Sequence, residues 1–251
     1  MTDLGLAGKR VIVTGAAGGL GRAFALAFAT AGCAVIAADV NDVSDTLAQI
    51  AAAGGTGFGA VLDVTNADSC RAVAAQAQAQ MGGLDVLVNN AALYGGLQRA
   101  NFEDIDEGVF DRVMAVNVKG VWQASRFCAP LMRAAGGGSI INIASATVFS
   151  GSPQWMHYVA SKGAVIAMSR TMAKELGRDD IRVNVLAPGF TMTEASLTLI
   201  DNARSYGVDR AAIKRPIETG DIVGGALYLA SPHSAFMTGQ TMVIDGGRQF
   251  I

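Results

Sequence analysis

Charged side chains are scarce in this sequence: Asp, Glu, Lys and Arg make up 16% of 251 residues, with a formal net charge of −2 and no basic tract. A chain without a stripe of positive charge offers no electrostatic footprint for nucleic acid or an anionic membrane, so neither partner is expected. Cysteine is also rare. Cys33, Cys70 and Cys128 are odd in number and far apart, unlike a disulfide framework or a metal site, and read as reduced core side chains. No metal is expected. Long apolar runs are missing too. Positions 134–161 lack all four charged residue types, but they hold a triple glycine, Pro153 and many hydroxyl and amide groups, whereas a membrane span is continuously apolar. The first ten residues contain no stretch of signal-peptide length, so the expected compartment is the cytoplasm. What is plentiful is apolar surface, at 51% of residues, together with 31 glycines. Such a composition excludes disorder and fits one well-buried core.

Short apolar runs ended by glycine read as buried parallel strands. The first, 10–14, contains Val-Ile-Val, and from Leu20 the positions Phe24, Ala27, Phe28 and Ala31 take helical spacing until Gly32 stops the helix. Strand character resumes at 33–38. Beyond it the pattern predicts helices at 43–53 and 67–81 and strands at 57–62 and 84–88. Two helices at 104–116 and 118–135, a strand at 139–144 and a helix at 155–176 come next. A strand at 182–187, a helix at 220–230 and a strand at 241–244 close the chain. Alternation of this kind requires right-handed crossovers. The expected fold is therefore α/β: a doubly wound parallel sheet in a single three-layer α/β/α domain. The segment 190–218 fits neither period, and a connection that long in a compact domain is usually functional. Met192, Leu197, Leu199, Ile200 and Tyr206, interleaved with polar residues, suggest a short amphipathic helix closing as a lid over a substrate.

Gly15, Gly19 and Gly21, with Leu20 among them, lie between the first strand and first helix. There the missing side chains bring backbone N–H groups and the helix N-terminus up to a pyrophosphate, although such loops also form plain turns. Asp39 closes the second strand, where a carboxylate can accept from the adenosine ribose hydroxyls and repel a 2′-phosphate. With Val40 and Asn41 after it, and Ala16 and Ala17 in the loop in place of a basic side chain that would hold that phosphate, the expected cofactor is NAD. The competing reading makes Asp39 a helix cap. Asp63, followed by Val64 at the end of the third strand, is open in the same way between the adenine amino group and a cap.

Tyr158 and Lys162 are four apart in a predicted helix, so they leave one face a turn apart. A free phenol keeps its proton at neutral pH, but an adjacent ammonium and the cationic ring of oxidised nicotinamide both favour the phenolate, which makes the phenol a usable acid/base. Ser145, at the end of the fifth strand, can share the substrate oxygen and stabilise a developing alkoxide. Alone, such a pair is common on surface helices.

In its remaining motifs the sequence resembles the short-chain dehydrogenase/reductase family over essentially its whole length. The matching elements, in order, are Thr14-Gly15-x-x-x-Gly19-x-Gly21, Asn89-Asn90-Ala91-Ala92, Asn117, Ser145, Tyr158-x-x-x-Lys162, Pro188-Gly189 and Asp245-Gly246-Gly247. The resemblance implies a Rossmann fold and hydride transfer between NAD and a secondary alcohol or ketone. It makes Asn117, Ser145, Tyr158 and Lys162 a catalytic tetrad, with Asn117 holding a proton-relay water and Lys162 also binding the nicotinamide ribose. It further places Asn90 near the adenosine ribose, and Pro188, Gly189, Thr191 and Thr193 along the cofactor, Thr193 at the carboxamide. Ala92 departs from the family's usual glycine. The helix bearing Tyr158 forms a subunit interface in the family, so a homotetramer or homodimer is implied, and Ala160, Gly163, Ala164 and Ala167 form a small-residue stripe on it.

Tyr94, Phe149, Trp155, Phe190 and Tyr206 fall in loops that the resemblance places around the substrate, with Tyr94 and Trp155 as expected substrate contacts. Together they suggest an apolar, aryl-accepting pocket, against core or subunit packing for each one singly. His157 precedes Tyr158, but consecutive helical residues point about 100° apart, so it is expected to face away from the reacting oxygen. The alternatives are a 3-oxoacyl-type reductase, which Asp39 argues against, and a non-catalytic nucleotide-binding regulator, which would be expected to lack part of the tetrad.

Overall fold

The computed structural model describes residues 4–251. Its main sheet is built from β1 (Arg10–Thr14), β2 (Ala34–Asp39), β3 (Thr56–Val61), β4 (Val86–Asn89), β5 (Gly138–Ile143), β6 (Ile181–Pro188) and β9 (Thr241–Ile244). These pair in the order β3-β2-β1-β4-β5-β6-β9, all parallel. The chain runs outward from β1 to one edge and then from β4 to the other. Between β1 and β4 the direction of winding reverses, which opens a crevice at the carboxyl ends of the strands.

The strands are apolar on both faces because both are covered. Val11 and Val13 point into one layer with Phe24 and Phe28 of α1 (Gly19–Thr30), Ile50 of α2 (Ser44–Ala52) and Ile222 and Leu229 of α9 (Thr219–Ala230). Ile12 points the other way, toward Cys70 and Val73 of α3 (Ala67–Met81), Cys128 and Met132 of α5 (Gly120–Ala134) and Ala173 of α7 (Met156–Leu176). The period of two predicted for strands is thus expressed as alternation between two cores. All three cysteines are buried and free, as expected.

A buried polar chain fastens the second layer to the sheet. Asn89 donates through Nδ2 to Ser125 Oγ (2.9 Å) and Asn142 Oδ1 (2.8 Å), and Asn142 Nδ2 donates to Ser169 Oγ (2.8 Å). Four side chains from β4, β5, α5 and α7 therefore hold one another, and the helix that carries Tyr158 is fixed to the strand that precedes Ser145.

Two expectations are corrected. The helices at 104–116 and 118–135 are one continuous helical path: α4 (Glu107–Met114) enters a π turn at Ala115–Lys119, closed by the Gly120 N–H on the Ala115 carbonyl, and continues as α5. An i→i+5 turn inserts one residue without breaking the helix, so the apolar pattern changes phase and reads as two helices. The second correction concerns 190–218. It holds β7 (Thr191–Met192) paired with β8 (Ile217–Glu218), but its only α-helix is the four-residue α8 (Glu194–Leu197). Thr193 caps that helix and the polar, turn-forming residues after Leu197 end it. Leu197 consequently stays 45% exposed. The short helix α6 (Thr147–Ser150) completes the set.

Candidate active site

A cavity of about 760 Å³ runs along the carboxyl ends of the strands, with Asp39 and Asp63 at one end and Ser145, Tyr158, Phe190 and Arg248 toward the other. Much of the lining comes from the loops where strands stop, with Tyr158 and Lys162 reaching in from α7. After β1 the loop turns through Gly15 (φ +68°) and Gly19 (φ +52°) into α1. A side chain at Gly21 would collide with the Gly15 carbonyl and the Asn90 amide, so glycine is required for the loop to close. Asn90 Nδ2 donates to the carbonyls of Thr14 and Gly15, and Thr14 Oγ1 accepts from the N–H groups of Asn90 and Ala91, each at 3.0 Å. Gly18, at the cap of α1, makes no side-chain capping bond, which leaves first-turn N–H groups for an anion. The Gly19 N–H donates to Glu194 Oε2 (3.2 Å), and Arg22 Nη1 lies 3.8 Å from Glu194 Oε1.

Asp39 is held by its neighbours, not by a helix. Its Oδ2 accepts from the Ala17 N–H (2.9 Å) and its Oδ1 from the N–H (2.9 Å) and amide (3.2 Å) of Asn41, while Asp42 accepts from Ser44 at the start of α2. Asp39 therefore does not cap α2, whose cap residue Val43 has no side-chain capping bond. Asp63 Oδ1 accepts from the N–H and hydroxyl of Thr65, while Asn66 caps α3. Leu20, Val64, Pro188, Gly189, Thr191 and Thr193 all border the cavity.

At the other end, Tyr158 and Lys162 stand a turn apart on α7 and are both buried. Ser145 Oγ accepts from the Thr147 hydroxyl (2.9 Å) and N–H (3.2 Å). Burial raises the Tyr158 phenol well above its ordinary value, a tendency Tyr94 reinforces and a hydrogen bond with Ser145 opposes. The ammonium does not offset this burial. Lys162 Nζ donates to the Ile143 carbonyl (2.8 Å) and lies 5.7 Å from the centre of the Tyr158 ring, and its own pKa is pushed down to about 8 by burial. In the protein without cofactor desolvation is the largest influence on the phenol; the expectation of a usable phenolate was made with the cationic nicotinamide ring beside it.

Asn117 is buried in the π turn. Its Oδ1 accepts from the Leu93 N–H (2.7 Å), and its Nδ2 donates to the Leu93 carbonyl (3.2 Å) and Ser161 Oγ (3.0 Å). Its side chain thereby ties the loop after β4 to α7. Around Tyr158 stand Tyr94 (5.3 Å between ring centres) and Trp155 (5.9 Å, edge-on), and Phe190 meets Tyr206 edge-on at 4.9 Å. Phe149 is corrected: it packs with Val121 and Val165 and does not border the cavity. Of the residues expected to form a lid stripe, Leu199 and Tyr206 reach the cavity; Met192, Leu197 and Ile200 do not. His157 is buried and stacks on Trp155 at 6.4 Å; burial lowers its pKa.

A family profile described as Enoyl-(Acyl carrier protein) reductase matches residues 15–249. The 3-oxoacyl-[acyl-carrier-protein] reductase of Thermotoga maritima is 36% identical over 244 residues, 96% of this chain and 98% of that protein. The 2-dehydro-3-deoxy-D-gluconate 5-dehydrogenase of Escherichia coli is 35% identical over 250 residues, 98% of each chain. The chain belongs to the short-chain dehydrogenase/reductase family. A solved relative, a gluconate 5-dehydrogenase from Burkholderia cenocepacia in complex with NADP and tartrate, superposes with a TM-score of 0.91 at 32% identity, covering 98% of this chain and 97% of that one.

In this short-chain dehydrogenase/reductase a nicotinamide dinucleotide would meet suitable groups in order: a fixed carboxylate at β2, first-turn N–H groups on α1, and a hydroxyl and an ammonium beyond β5. The residues present fit that cofactor. Sequence reasoning missed Thr147, Glu194, Arg99 and Arg248 in the cavity wall. Thr147 had a local signal, two residues after Ser145 at a strand end. The other three carry none, because their placement depends on loop paths.

Proposed function

We propose that this enzyme transfers a hydride between NAD(H) and a secondary alcohol or its ketone, with an apolar, aryl-sized group on the reacting carbon. The observation that carries the reading is that the Ser145 and Tyr158 hydroxyls share one cavity with the glycine loop and Asp39. The bound cofactor supplies the hydride acceptor or donor and, when oxidised, a cationic ring. Lys162, fixed by the Ile143 carbonyl, binds ribose hydroxyls and adds positive charge beside the phenol. In oxidation Tyr158, as the phenolate, accepts the proton of the alcohol hydroxyl on its Oη; in reduction the Oη–H gives its proton to the ketone oxygen. Ser145, its hydroxyl oriented by Thr147, donates to that oxygen as charge builds. The side-chain amide of Asn117 is engaged by Leu93 and Ser161, so its part in a proton relay falls to its backbone carbonyl.

Asp39 supports NAD over NADP: its carboxylate is pre-positioned by Ala17 and Asn41 to accept from a ribose diol. Comparing kcat/KM with the two cofactors tests this. NAD is expected to win, Asp39→Ala to narrow the gap, and equal use of NADP would sink the assignment. The alternative of a 3-oxoacyl-type reductase is favoured by the Thermotoga maritima relative; it requires turnover of a 3-oxoacyl thioester with NADPH above that of simple ketones. The lid reading of 190–218 rests on Thr193, Leu199 and Tyr206 bordering the cavity, and protection of the segment from protease by NAD is its expected sign. Ala160 and Ala167 are exposed on α7, which supports assembly into a homodimer or homotetramer through that face. Cytoplasmic action completes the proposal.

A further inference from the structure

The cavity is electrically lopsided. Its acids are Asp39, Asp63 and Glu194, at the ends of β2 and β3 and against the glycine loop. The substrate half, beyond Ser145 and Tyr158, is bordered by two arginines, Arg99 and Arg248, and by no carboxylate. Neither guanidinium has an ion-pair partner among the described residues.

Both arginines are positioned by contacts that leave their N–H edges free. The Arg99 guanidinium lies over the Trp155 ring at 5.9 Å, and that of Arg248 over Tyr206 at 5.3 Å. Among the described residues no protein acceptor meets a guanidinium N–H of either arginine, and free donors of this kind can read a carboxylate through paired N–H bonds. Arg248 is also delivered by a built turn. Asp245, buried at 4% exposure, accepts the N–H groups of Gly247 and Arg248 through Oδ1 and that of Gln249 through Oδ2. Gly246 (φ +71°) and Gly247 (φ +75°) supply left-handed backbone. Gly207 makes room for the side chain, since an added Cβ there would fall 2.5 Å from Arg248 Nη1. Arg248 is half-buried and Arg99 exposed, so both guanidinium groups remain open to a ligand that enters the cavity.

We propose that the substrate carries a carboxylate on its apolar body, away from the reacting carbon, and that Arg99 and Arg248 are the specificity residues that read it. The inference rests on the proposed oxidoreductase reading of the same cavity and narrows its substrate to hydroxy or oxo acids with an aryl or alkyl body. Its test pairs 4-(1-hydroxyethyl)benzoate with the methyl ester of the same alcohol, each oxidised with NAD, and adds calorimetric titration of the NAD-loaded protein with benzoate and with benzamide. The acid is expected to exceed its ester in kcat/KM by roughly tenfold, the discrimination of one charge-assisted pair, and benzoate to bind where benzamide does not. Arg248→Gln and Arg99→Gln should lower kcat/KM for the acid by about ten times more than for the ester. An ester used as well as the acid, or variants that damage both alike, would overturn the proposal. Should neither alcohol turn over, the calorimetry still decides: benzoate binding that is lost in the arginine variants upholds the carboxylate site while the reaction assignment fails, and equal binding of benzoate and benzamide rejects the site.

Discussion

Replacing Lys162 by methionine should make the protein more stable at neutral pH while it loses activity. The ammonium is buried without a carboxylate partner, and its pKa falls from 10.5 to about 8. A lysine depressed on folding costs stability at every pH below the folded value, because the chain must bury a charge. As pH rises from 8 toward 10.5 the folded protein gives up the proton before the unfolded chain does, and the cost fades. Worked through, the penalty is about 3 kcal/mol at pH 7 and about 1 kcal/mol at pH 9.5. Methionine removes it but orphans the 2.8 Å hydrogen bond to the Ile143 carbonyl, which costs about 1–2 kcal/mol. Lys162→Met is therefore expected to gain about 1–2 kcal/mol at pH 7, or roughly 2–8 °C in Tm at this chain length, and to reach parity or fall below the parent by pH 9.5. Urea unfolding followed by far-UV circular dichroism at both pH values, at one protein concentration because assembly contributes to stability, measures the gap. A variant less stable than the parent at pH 7, or a gap that does not close with pH, would show that the buried ammonium is not the liability described.

Tyr158→Phe keeps the ring packed against Tyr94 and Trp155 and deletes the hydroxyl, so turnover should drop by at least about 100-fold with NADH affinity nearly unchanged; substantial residual turnover refutes the acid/base assignment. Gly21→Ala drives a methyl group into the Gly15 carbonyl; a loss of about 1–3 kcal/mol in urea titration and of NADH fluorescence enhancement is expected, and a variant that binds NADH normally would contradict the loop geometry. Glu194→Gln removes a negative charge from the Gly19 N–H and Arg22, where the pyrophosphate is to be cradled. NADH should bind about threefold more tightly, and weaker binding would mean that the carboxylate helps instead of competing.

Sheet strands and most helices were legible because burial on both faces demands apolar runs and glycine ends them; the helix at Ala67–Met81 and the strand at Thr241–Ile244 match their predicted bounds. The site was legible where chemistry sits at a strand end, as with Ser145 and Asp39. It was obscure where placement depends on a loop path. Phe149 and Tyr206 look alike in sequence, yet one packs against the cluster of Val121, Val165 and Val185 and the other borders the cavity. The arginines were hidden for the same reason, and with them the charge of the pocket. Spacing shows that a lysine is adjacent to the phenol but not that its ammonium is also held by the Ile143 carbonyl.

The π turn at Ala115–Lys119 has a further consequence. One extra residue in a helix advances everything beyond it by about 100°, so the turn acts as a phase shifter between α4 and α5. The α4 side faces the aromatic cluster through Val113, whereas the α5 side faces the sheet through Ala124 and Cys128, and a single straight helix could not present both stripes in these directions. Deleting one residue here would leave the helix intact and turn one of its two ends the wrong way round.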